Sequence, residues 1–202
     1  MTWFLAVAIL EGSRAKDFWN CANAVLRVDD HCRTGARAAG DCDAGGQEYR
    51  RIRDLHFAVK LDQGETLAPD ASKANADFVT VYNFYGLVEG SAKSPVGWEF
   101  SSEEFGRTPT LNGYPMVLPV DVPGTPNLTW TVTKPVAAGA QIDGFTATTG
   151  VSAMVQGQYS AQVTRQSPAV QGGPGTPSDA PTASKQALIG SLPTPSFLAN
   201  VK

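Results

Sequence analysis

The chain has 202 residues, 42% hydrophobic and 17% charged, which is enough to bury one real core and suits one main body with extensions better than two domains. A formal charge of −3 and a pI near 5.3 exclude the overall basic field with which proteins hold a nucleic-acid backbone, so no direct nucleic-acid contact is expected. Residues 61–163 carry ten acids against four bases, a distribution that reads first as a solvated surface.

The opening Met1–Leu10 is apolar but spans about half a membrane thickness, and no basic region precedes it, so it reads as a buried strand or helix start. No later stretch has the length of a membrane span, and none is expected. From Ser13 as N-cap, Arg14–Val28 places Phe18, Cys21, Ala22, Val25 and Leu26 on one face at helical spacing. A glycine-rich stretch follows, and Tyr49, Ile52 and Leu55 predict a second short helix that carries Arg50, Arg51 and Arg53 outward.

After His56 the period changes. His56–Leu61, Phe78–Tyr85, Met116–Val122, Leu128–Lys134 and Ala153–Val163 are rich in β-branched and aromatic residues and predict strands. Leu128, Trp130 and Val132 alternate with threonines, the pattern of an antiparallel sheet with one covered face. The expected fold is mainly β within an α+β class: an antiparallel sandwich or barrel-like body over residues 57–163, an N-terminal helical segment over 1–56 and an extended arm over 164–202.

That arm holds six of the fourteen prolines and the run Gly172-Gly-Pro-Gly-Thr-Pro177, and it cannot build a core. Fixing some 39 residues costs on the order of 1–2 kcal/mol each in backbone entropy, so the arm orders only against extensive surface. Near its end Leu188, Ile189, Leu192, Phe197 and Leu198 form two small apolar clusters, which read as anchors on a partner. Removing residues 166–202 is therefore expected to leave a folded body that no longer assembles.

Motifs with catalytic meaning are weak. Asp29-Asp-His-Cys32 and Asp41-Cys-Asp43 gather metal-ligand types without zinc-site spacing, and no cofactor or metal is expected. Three cysteines (Cys21, Cys32 and Cys42) and two histidines (His31 and His56) offer few nucleophile and base pairings. Glu103-Glu104 point opposite ways in an extended chain, Gly150-Val-Ser-Ala-Met154 lacks the second glycine of a nucleophile elbow, and Asn127-Leu-Thr129 matches a glycosylation sequon.

The expected function is accordingly non-enzymatic: a structural subunit of a virion, such as a bacteriophage head or tail, made in the host cytoplasm. It would bind copies of itself and other structural subunits through Leu188, Ile189, Leu192, Phe197 and Leu198, with Arg50, Arg51 and Arg53 as polar contacts. The competing expectations are a carbohydrate-binding sandwich that uses Trp98 and Trp130, and a hydrolase whose site carries no recognised motif.

Overall fold

A computed structural model describes residues 8–11, 27–32, 52–111, 114–115, 119–166 and 183–197. These residues are mainly β. In chain order the strands are β1 (Ala8–Glu11), β2 (Arg27–Cys32), β3 (Arg53–Lys60), β4 (Glu65–Thr66), β5 (Phe78–Val81), β6 (Trp98–Glu103), β7 (Thr110–Leu111), β8 (Tyr114–Pro115), β9 (Asn127–Val132), β10 (Gln141–Thr149), β11 (Met154–Gln166) and β12 (Ala183–Pro195). One sheet runs β1-β2-β3-β10, a second runs β12-β11-β5-β9-β6 with β4 against β11, and β7 pairs β8. The pairings are antiparallel except for β1 with β2.

Period-2 alternation explains the interior. Leu55, Phe57 and Val59 of β3 and Phe145 and Ala147 of β10 enter the same core as Val79, Val81, Leu128, Trp130, Val132, Tyr159, Ala161 and Val163 of the larger sheet. Its centre is aromatic: Phe145 meets Trp98 edge-on at 4.9 Å and Trp130 at 5.7 Å, and Phe57 lies 5.6 Å from Trp130. The indole N–H of Trp130 donates to the Lys93 carbonyl at 3.1 Å, so this polar atom is satisfied inside the core.

Left-handed backbone shapes β10 and the end of β5. β10 bulges between Ile142 and Phe145, where Gly144 has a φ of 98°. β5 stops before Asn83, whose φ is 54°, a conformation that asparagine tolerates better than most residues.

Several expectations change. The helix predicted around Tyr49–Leu55 gives way to β3 from Arg53 onward, because Leu55, Phe57 and Val59 bury one side of an extended chain while Ile52 stays exposed. Of the predicted helix Arg14–Val28, the last two residues lie in β2, and 14–26 fall outside the described residues. Within the predicted strand Met116–Val122, residues 119–122 are irregular, and Val122 instead closes a turn by accepting from the Thr125 N–H at 3.0 Å. β11 continues through Gln166 past the expected boundary at 163, and residues 183–195 of the expected arm form β12 in the same sheet as the body.

Candidate functional site

β12 pairs with β11 along its full thirteen residues, from Ala183 opposite Gln166 to Pro195 opposite Met154. The facing of its backbone groups follows from one bond beyond the ladder: the Ser196 N–H donates to the Ala153 carbonyl at 2.9 Å. Alternation then turns the N–H and C=O groups of Ser184, Gln186, Leu188, Gly190, Leu192 and Thr194 toward β11. Those of Lys185, Ala187, Ile189, Ser191, Pro193 and Pro195 face away from it. Both prolines thus occupy positions where the missing N–H removes no bond to β11, which is where an edge strand tolerates them.

Side chains sort by the same parity. Leu192 is 0% exposed inside the core and Leu188 packs against it, whereas Ile189 lies on the opposite face and is 38% exposed. Of the expected anchors, then, the structure seats Leu188 and Leu192 in the chain's own body. Phe197 lies beyond the strand end, 61% exposed, with its ring edge-on to Tyr85 at 5.5 Å. Arg53 opens β3 opposite Cys32 and Thr149, remote in sequence from β12, while Arg50, Arg51 and Leu198 lie outside the described residues.

A buried polar layer locks β12 to the sheet. Asp77 is fully buried: its Oδ1 takes the Lys185 ammonium at 2.6 Å, and its Oδ2 accepts from the Thr164 hydroxyl at 2.7 Å and the Ala68 N–H at 2.8 Å. Lys185 also donates to Thr164 Oγ1 at 3.0 Å. Pairing with one cation and two neutral donors offsets much of the cost of withdrawing this carboxylate from water.

Neighbouring positions on that face are polar and buried too: Thr80, Thr129, Ser160 and Gln162. Arg107 covers part of them, stacking 4.1 Å over the Phe78 ring and donating to Thr131 Oγ1 at 3.0 Å and to the carbonyls of Ala74 and Ala76 at 2.8 and 2.7 Å. Burial lowers its pKa from the ordinary guanidinium value, with Asp77 and Glu103 pulling the other way. The Tyr82 hydroxyl donates to the Arg107 carbonyl at 2.9 Å and lies 3.0 Å from Ser160 Oγ, and burial raises its pKa. Residue 106 must be glycine here, since a side chain would enter the Tyr82 ring.

Asn127, the sequon residue, is buried. Its amide donates to the Glu104 carbonyl at 2.7 Å and to Asp121 Oδ1 at 2.9 Å, and its oxygen accepts from the Asn83 N–H at 2.8 Å. A glycan cannot attach to it in the folded chain. Trp98 and Trp130, the rings expected of a carbohydrate site, are 7% and 1% exposed and belong to the core. Glu103 and Glu104 are exposed at the end of β6.

Of the candidate metal ligands, Asp29 to Cys32 lie along β2, and Asp41, Cys42 and Asp43 fall outside the described residues. Among the described residues no group of three or more His, Cys, Asp or Glu side chains is placed to hold a metal ion, and no helix is long and apolar enough to cross a membrane. No family model, no curated protein and no solved structure matches this chain.

Proposed function

We propose that this protein is a non-enzymatic structural subunit of a large assembly, with a bacteriophage head or tail as the setting, and that its C-terminal strand joins neighbouring copies. In this reading the two sheets form an antiparallel β-sandwich, and the extended arm comprises the connection 167–182, β12 and the residues after it. The observation that carries the proposal is β12 itself. It is the outermost strand of the larger sheet, is fixed from within by Leu192 and Lys185, and leaves Ala183, Ile189 and Ser191 exposed.

The buried polar groups support a structural role. Asp77 and Arg107 are spent on bonds between strands and loops, as are Asn127 and the Tyr82 hydroxyl, and each holds one segment of the chain against another. The exposed acids Glu99, Glu103 and Glu104 would suit a basic surface on an adjoining subunit.

The test is cross-linking of assembled protein made from a mixture of light- and heavy-isotope chains. Links between light and heavy peptides that include residues 183–202 are expected. Mixed links confined to other regions, or none at all, would remove the C-terminal strand from the proposal. A second reading, a carbohydrate-binding module, would use exposed rings such as Phe105 and Phe197, the latter edge-on to Tyr85, because Trp98 and Trp130 are buried. A glycan screen without a hit that depends on Phe105 or Phe197 would dismiss it.

A further inference from the structure

The two edges of the larger sheet are built differently. β6 has six residues and carries Glu99 and Glu103, charges of the kind that keep an edge from pairing with another chain. β12 has thirteen residues, and its one charge, Lys185, is turned onto buried Asp77. Toward its C-terminal end Pro193 and Pro195 withhold N–H groups, and the Pro195 carbonyl already accepts from the Tyr85 N–H at 3.4 Å. A run of outward-facing backbone from Lys185 to Ser191 remains, its one charge turned inward; β7 and β1 lie close to β12, but no strand of the described residues pairs with this run.

We infer that this run binds the same run of a second copy, antiparallel across a two-fold axis at Leu188, joining the larger sheets of two subunits into one. The inference deepens the proposed function and rests on it. A two-fold axis makes an edge its own partner, and this edge is self-complementary. Ala187 of each copy would lie opposite Ile189 of the other, and Lys185 opposite Ser191, so no like charges meet. On the core side the two Leu188 side chains would face each other across the axis and cover what each sheet alone leaves partly exposed. The register ends where Pro193 begins, because Ala183 would face a residue without a donor. The connection 167–182 is a poor rival occupant: prolines at 168, 174, 177 and 181 deny it ladder donors at four places.

Charge pairs at the predicted register test this without disturbing the bonds to β11. Ala187→Lys with Ile189→Lys sets like charges opposite each other twice across the axis, and Ala187→Glu with Ile189→Lys sets opposite charges there. Sedimentation should give a dimer at least about tenfold weaker for the first double variant than for the second, with both retaining the wild-type circular dichroism. Equal dissociation constants for the two would overturn the edge pairing while leaving assembly by another surface in place. A wild-type chain that stays monomeric at every concentration would overturn both this inference and the proposed function. Ile189→Pro is an independent check. It removes an outward N–H at a position of the same parity as Pro193 and should weaken the dimer, whereas an unchanged dimer would contradict the pairing.

Discussion

Lys185 and Asp77 are 108 residues apart in sequence and 2.6 Å apart in the fold. Removing the cation leaves a carboxylate with neutral donors alone in a buried place. Lys185→Met should cost about 2 kcal/mol, below the range for fully buried pairs because the lysine side chain is 36% exposed, and adding Asp77→Asn should recover part of it. Chemical denaturation of the four chains of that cycle measures the coupling. Glu65 behaves oppositely. Burial raises its pKa above 4.5, so its proton is held more tightly in the folded state, and the associated stability is complete below the unfolded value and lost as pH rises through the folded one. Glu65→Gln should therefore raise the melting temperature at pH 7, and the gain should vanish below about pH 4.5. Neither Asp77 nor Glu65 announces itself in the sequence. Both acquire meaning from strands that meet only in the sheet, and the sequon at Asn127 shows the converse, a motif cancelled by burial.

At the scale of elements, the strands with strong alternation were legible. Leu128, Trp130 and Val132 predicted β9, and the β-branched run at Phe78 predicted β5, although Asn83 ends the strand sooner than composition suggested. β2 was not legible, since Arg27-Val-Asp-Asp-His-Cys32 has little strand preference and is held by pairing with β1 and β3. β10 was missed because a glycine bulge interrupts its alternation. The C-terminal clusters read as anchors on a partner, but composition could not tell a surface on the same chain from one on a neighbour. Leu192 settles its own case: Leu192→Ala should cost about 3 kcal/mol in monomer stability, measured by urea unfolding. For the same reason, removing residues 166–202 is expected to destabilise the body rather than spare it, since that deletion uncovers β11, empties the Leu192 site and strips Asp77 of its cation.

The whole molecule unites two sheets through one aromatic core and closes one end of the larger sheet with a strand drawn from the Pro/Gly-rich region. If that strand is the junction between copies, stability and assembly separate. Core-facing changes such as Leu192→Ala lower the stability of the chain, while changes at Ala187 and Ile189 alter the association constant and leave the unfolding free energy of the isolated chain within about 0.5 kcal/mol of wild type. The most direct measurement is the mass of the native protein across a dilution series, by native mass spectrometry or sedimentation. An even-numbered multiple of 21.3 kDa that dissociates on dilution is expected, and a single 21.3 kDa species at all concentrations would contradict the joining of copies.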